Sequence, residues 1–207
     1  MVHRVGVLVF DDVALLDVTG PIHVFAEADE GRGRYRISTV GLVSGAVRTS
    51  GGVRLTVDEV AGEGVFDTLI VPGSAGARAR SPELVTMIRH LSALSGRTAS
   101  VCTGAFLLAE AGLLKGLDAT THWRHAEQLQ REYPDVKVNS DAIFVQSGPI
   151  FTSAGVSAGI DLALALVEDD HGGHLARDVA QEMVVFMRRP GGQSQFSARL
   201  ALPVEPT

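Results

Sequence analysis

The sequence predicts an α/β domain of three layers, a mostly parallel sheet covered on both faces by helices. Three observations carry that prediction. Short runs rich in Val, Ile and Leu alternate with helical patterns along the chain, the order that βαβ units impose. Two of the runs, Val5-Gly-Val-Leu-Val-Phe10 and Asp67-Thr-Leu-Ile-Val-Pro72, are nearly unbroken in apolar character, as strands buried on both faces are. The length of 207 residues suits one such domain, and a hydrophobic content of 45% supplies its core.

In chain order, Arg4–Phe10 reads as the first strand, Ala14–Ala28 as the first helix and Tyr35–Gly41 as the second strand. Within Val47–Val57, Gly51-Gly52 separates two alternating runs and predicts a hairpin. Residues 67–72 form a central strand ending at Gly73, and Pro82 sits in the first turn of a helix reaching about Ser95. Arg97–Val101 is a short buried strand, followed by an amphipathic helix over Gly104–Leu114. Thr120–Tyr133 reads as helical, and Val136–Val138, Ala142–Gln146 and Ile150–Thr152 as shorter strands. Two helices follow, near Val156–Asp169 and His174–Arg188, the second stopped by Pro190-Gly-Gly192. Residues 1–190 thus form the domain, and 191–207, rich in Pro, Gly, Ser and Gln, a tail or truncated linker.

A formal net charge of −6, from 18 basic and 24 acidic residues, opposes direct contact with nucleic acid, which needs a cationic face. One cysteine forms no internal disulfide and fits a reducing, cytoplasmic compartment. The first apolar run is too short for a signal peptide or a membrane span, and charges interrupt every later helical pattern.

That cysteine, Cys102, sits in Ser100-Val-Cys-Thr-Gly104, between a strand and a helix. A residue on so sharp a turn needs small neighbours two positions away, which Ser100 and Gly104 supply; this is the pattern of a nucleophile elbow. A sulfur at a helix N-terminus is expected to favour the thiolate. A buried core cysteine is the alternative reading.

Catalytic groups in open α/β sheets gather at the carboxyl ends of the strands. Asp17, in Leu15-Leu-Asp-Val-Thr-Gly-Pro21, either caps a local turn near Gly20-Pro21 or projects into a site beside Cys102 as a general acid of raised pKa. Gly73, in Val71-Pro-Gly-Ser-Ala-Gly76, allows a backbone amide close to a reacting atom; with the Thr103 amide it could form an oxyanion hole. No GxGxxG or GxxxxGK[ST] pattern marks a nucleotide site. His122 is a base for Cys102 or a packed core residue, and Trp123 reads as core. The pairs His122/His125 and His171/His174 lack the further ligands a metal needs, so neither metal nor organic cofactor is expected. Ser74, Ala75, Val156 and Ser157 are small enough to leave room for a modest apolar compound.

The segments LLDVTGP, IVPGS, SVCTGAFLLAEAGLL, ATTHW and SAGVSAGIDLALALVE together resemble the ThiJ/PfpI superfamily over residues 3–190. The resemblance implies a flavodoxin-like sandwich of the class I glutamine amidotransferase type. It also implies Cys102, Asp17 and Thr103 as the reacting set, with Gly73, Ser74, Gly20, His122 and Gly155 around the ligand. Two branches share these segments, isonitrile hydratases and the N-terminal domains of GlxA-type AraC-family regulators. The ending Asp169-Asp-His-Gly172 with Val184–Ser197 is similar to the regulators, in which a DNA-binding domain of about 100 residues should follow where this chain stops at Thr207. PfpI-type proteases place His where this chain has Thr103, and glutaminases need a late His-x-Glu where it has His171-Gly-Gly-His174. The resemblance implies a homodimer that senses a small molecule. The alternatives are an isonitrile hydratase using a Cys102 nucleophile with an Asp17 acid/base, or a redox-responsive thiol.

Overall fold

The unbroken apolar runs occupy the middle of the sheet. The protein is described by a computed structural model over residues 2–62, 64–74, 81–194 and 196. Along the chain come β1 (His3–Leu8), α1 (Leu15–Asp29), β2 (Tyr35–Gly41), β3 (Gly45–Arg48), β4 (Arg54–Val57), β5 (Glu59–Val60), β6 (Thr68–Val71) and α2 (Pro82–Leu94). There follow β7 (Arg97–Val101), α3 (Gly104–Glu110), β8 (Asp118–Ala119), α4 (Ala126–Glu132), β9 (Lys137–Val138), β10 (Phe144–Ser147), β11 (Ile150–Ser153), α5 (Ala158–His171) and α6 (Gly173–Glu182).

Among these residues seven strands form one sheet in the order β10-β11-β7-β6-β1-β2-β5. All neighbours are parallel except β10, which runs against β11. The step from β1 to β2 crosses the sheet one way and the step from β6 to β7 the other. Right-handed crossovers therefore put α1 and α2 on opposite faces. With α5 and α6 packed on α1, and α3 packed on α2, the three-layer α/β class predicted from the sequence is the observed one. The sheet's two edges differ: β5 is two residues long, and beyond β10 lies the β8–β9 ribbon, with Ser147 Oγ donating to the Asp118 carbonyl at 2.8 Å.

At the amino ends of four adjacent strands lies a half-buried polar cluster. Asp170, in the last turn of α5, accepts from Tyr35 Oη at 2.8 Å and from Arg97 Nη2 at 2.6 Å. Thr68 Oγ1 accepts from Arg97 Nε at 2.8 Å and contacts His3 Nε2 at 2.7 Å. The cluster ties α5 to the sheet at the end opposite Cys102.

Several expected boundaries shift. The first strand stops at Leu8, and the hairpin forms with a five-residue loop, Arg48 pairing with Arg54. Residues 120–122 lie outside any helix: Thr120 and Thr121 are fully buried and held by hydroxyl bonds, and only Trp123–His125 turns, as one 3-10 turn ahead of α4. Trp123 is half-buried rather than core. The helix after Gly104 ends at Glu110, where the Gly112 and Leu113 amides turn back to Ala109 and Leu108. The last helix ends at Glu182, not Arg188. Val184 takes a φ of 56°, and the Val184 and Val185 amides close a Schellman turn on Gln181 and Ala180. Pro190 is therefore not the stop. Ala75 and most of the 191–207 segment lie outside the described residues.

Candidate active site

β7 delivers Cys102 at its carboxyl end, and α3 begins two residues later. Cys102 has a φ of 58°, in the left-handed region that side chains rarely adopt, a conformation costing about 1–3 kcal/mol unless the surroundings hold it. They do. Its amide donates to the Ser153 and Ala154 carbonyls, both at 3.2 Å, and its carbonyl accepts from Thr121 Oγ1 at 2.7 Å. At Gly104 a Cβ would collide with the Val71 carbonyl, so this turn of the elbow admits only glycine.

Asp17 lies in the first turn of α1 and is fully buried. It does not cap that helix, whose N-cap is Ala14, and Gly20-Pro21 continues the helix instead of ending it. The loop before α1 is pinned to the end of β6 by the Ala14 amide on the Gly73 carbonyl at 2.9 Å and by the Val13–Ser74 bridge. This aims Asp17 at the elbow, and its Oδ2 accepts from the Gly73 amide at 3.1 Å. Among the described residues Oδ1 makes no hydrogen bond of full geometry, although the Val156 amide and the Cys102 thiol face the carboxylate closely enough to favour its charge. Burial outweighs them and pushes Asp17 up to about 6.

The thiol moves the same way. Burial first, then the charge of Asp17, push Cys102 up to about 12, against the pull of the Thr103 and Val156 amides and the Thr103 hydroxyl. The expected thiolate is thus not the resting form. A helix of seven residues offers less than burial beside a carboxylate removes. The two groups are coupled: an ionised Asp17 disfavours the thiolate, and burial disfavours the charged form of both.

Thr103 Oγ1 accepts from the Ser74 amide and donates to the Ser74 carbonyl, both at 2.9 Å, which clasps the loop after β6 to the elbow. A Cβ at Gly73 would lie 2.5 Å from Thr103 Oγ1 and 2.9 Å from Asp17 Oδ2. Only glycine permits this approach, and its amide is committed to Asp17. The backbone donors that face the sulfur are instead Thr103 and Val156.

His122 stands at the rim, half-buried, its Nδ1 accepting from the Arg124 amide at 3.3 Å. Among the described residues no hydrogen bond joins it to Cys102. Burial, with His125 and Arg124 nearby, holds it below the usual histidine pKa. Its ring stacks on Trp123 and covers Gly155, where a Cβ would sit inside the imidazole. Gly155→Ala is therefore expected to push the ring outward and shift the emission of Trp123, the chain's one tryptophan. An unaltered spectrum in a folded variant would show that the stack does not depend on this glycine. Gly20 lies behind the site against Ile160 rather than in it.

The structure thus brings Cys102, Asp17, Thr103, Gly73 and Ser74 together, with His122 and Gly155 at the edge. Val156 was expected only as a small lining residue. It is 46% exposed with a φ of 58°, and nothing in the sequence marks a β-branched residue for that conformation. Among the described residues no cluster of three or more His, Cys, Asp or Glu could hold a metal, and no helix is long and apolar enough to cross a membrane.

Residues 3–169, which carry the whole of this arrangement, match the sequence profile of the DJ-1/PfpI family. The chain belongs to that family. This DJ-1/PfpI domain is 35% identical over 163 residues to the HTH-type transcriptional regulator CdhR of Pseudomonas aeruginosa, covering 75% of this chain and 47% of the regulator. It spans about half the length of that relative. It is 34% identical over 175 residues to the isonitrile hydratase of Pseudomonas putida, covering 82% of this chain and 72% of the hydratase. In fold it is similar to a ThiJ/PfpI family protein from Pseudomonas syringae, with a TM-score of 0.80 at 24% identity over 92% of this chain and 77% of that one.

Proposed function

We propose that this chain is the small-molecule-sensing domain of a GlxA-type, AraC-family transcription regulator, with its ligand held against Cys102 and Asp17. The observation that carries the reading is the fully buried Asp17 carboxylate, fixed by the Gly73 amide and facing Cys102 on an elbow of left-handed backbone. The regulator relative and the acidic balance of the chain support a sensory domain that does not itself touch DNA. A cytoplasmic homodimer completes the proposal.

A second reading, isonitrile hydration, is favoured by the raised pKa of Asp17 and the hydratase relative. In it the Cys102 sulfur bonds to the terminal isonitrile carbon while the thiol proton passes through Asp17 to that carbon, giving a thioimidate. Water, deprotonated by Asp17, then adds to the same carbon, the proton passing from Asp17 to the imine nitrogen. The C–S bond breaks as the C–OH becomes C=O and its proton passes to sulfur. The products are an N-substituted formamide and the free thiol, so one isonitrile and one water are consumed.

The test is incubation with an alkyl isonitrile, with formamide followed for the wild type, Cys102→Ser and Asp17→Asn. The sensor reading expects no formamide, together with a Cys102 alkylation rate that turns near pH 6 in the wild type and loses that turn in Asp17→Asn. Formamide production abolished by both substitutions would overturn it in favour of the hydratase.

A further inference from the structure

The segment after α6 returns to the site and is fastened there twice. Arg189 pairs with Asp161, Nε to Oδ1 at 2.8 Å and Nη2 to Oδ2 at 2.7 Å, and Asp161 is 5% exposed in the first turn of α5. That turn follows directly on Val156, whose amide faces Cys102 and Asp17. Four residues on from Arg189, Gln193 is 3% exposed and fully engaged. Its Nε2 reaches the Ala142 carbonyl at 2.9 Å, the Thr121 carbonyl at 3.0 Å and Thr120 Oγ1 at 3.2 Å, and its Oε1 accepts from the Trp123 amide at 2.9 Å. Asp141 adds a brace, its carbonyl accepting from the Gln193 amide at 2.8 Å and its Oδ1 from the Ser194 amide at 2.7 Å.

Both anchors lie on segments that frame the pocket. Thr121, held through its carbonyl by Gln193, donates its own hydroxyl to the Cys102 carbonyl at 2.7 Å. One residue separates the strap from the strained backbone of the nucleophile. A buried amide side chain with every group satisfied is costly to displace, because each group it leaves behind loses its partner.

We infer that residues 189–194 form a coupling strap, seated through Arg189–Asp161 and Gln193–Thr121, whose seating is linked to occupancy of the Cys102 pocket. The inference rests on the reading of that pocket as the ligand site. An adduct on Cys102 that shifts its carbonyl or the Val156 turn displaces Thr121 or Asp161, and the strap transmits the change along the chain toward its C-terminal side. Unseating the strap frees Thr121 and Asp161 to shift, and with them the surroundings of Cys102.

The test uses the full chain and iodoacetamide as the probe. Alkylation of Cys102 is expected to raise amide hydrogen exchange in residues 191–194 about tenfold, within the usual span of coupling between sites. Gln193→Ala is expected to change the Cys102 alkylation rate measurably, by a factor that need not equal that of the exchange. Tyr35→Phe, which loosens the fold at the far end of the sheet, should leave that rate alone. Unchanged exchange on alkylation overturns the strap, and this arm needs no variant to fold. A rate equally altered by Tyr35→Phe overturns it too, by reducing the effect to general loosening. If Cys102 reacts, with a pH profile that depends on Asp17, and the exchange is unmoved, the strap alone fails. A Cys102 that reacts in no variant fails the site reading and the strap with it.

Discussion

Asp17→Asn is expected to make the protein more stable by about 2–3 kcal/mol at neutral pH while removing the turn near pH 6 from the rate of Cys102 alkylation. The stability gain follows from the carboxylate's burial. Its folded pKa of about 6 lies above the ordinary 3.8, so the folded state binds the proton more tightly than the unfolded one. Above pH 6 the ionised group therefore opposes folding, by about 3 kcal/mol at 1.36 kcal/mol per pH unit of difference. The penalty fades as pH falls through 6 and is gone below about 4. Asparagine keeps an oxygen for the Gly73 amide and carries no charge, so urea melts of the two proteins should diverge above pH 6 and coincide near pH 4. The pH turn is lost because the carboxylate that titrates near 6 beside the thiol is replaced by an amide, which neither takes up a proton nor repels the thiolate. Equal stability at pH 7.5, or an unchanged pH profile of alkylation, would sink the reading of Asp17 as a buried carboxylate titrating beside the thiol.

Arg97→Met is expected to cost about 3–5 kcal/mol, the usual result of removing one partner from a buried ion pair. Arg97 and Asp170 have side chains 10% and 13% exposed, at 2.6 Å. Methionine fills much of the same space but leaves the Asp170 carboxylate with Tyr35 and a more distant His3, at 3.8 Å. It also leaves Thr68 without the guanidinium. For a domain of this size that loss lowers Tm by about 10 °C, taking 2–4 °C per kcal/mol. Asp170→Asn in the same background should restore part of the loss, because it removes the stranded charge. A Tm within 2 °C of the wild type would show that the cluster is solvated and contributes little.

Much of the site was legible because its signals are local. The elbow shows as an apolar strand, a small residue two places either side of Cys102, and a helical pattern. Asp17 shows as a carboxylate in an apolar stretch, with capping and a site role both open; its place on the buried stripe of Pro21, Val24 and Ala28 appears only in the fold. The central strands show as apolar runs because both faces are covered. What was not legible depends on partners far along the chain. Thr120 and Thr121 leave the helix because Thr152 and Cys102, 32 and 19 residues away, take their hydrogen bonds. Gln193 is buried by groups 51–73 residues distant. Val184 ends α6 without the glycine that usually marks such a stop. β5 and β8 are two residues each, too short for any periodicity. The thiol's direction of titration was misjudged for the same reason: the helix start is visible in sequence, the buried carboxylate facing it only in the fold.

The two unequal borders of the sheet bear on behaviour in concentrated solution. A long exposed rim of backbone donors and acceptors is a template on which identical molecules stack. Here one rim offers two residues, one of them the charged Glu59, which is ion-paired to Arg4. The other ends in a reversed strand flanked by a small ribbon. Among the described residues neither margin offers a neighbouring molecule a long run of strand to extend, so the sheet that carries Cys102 presents little template for stacking.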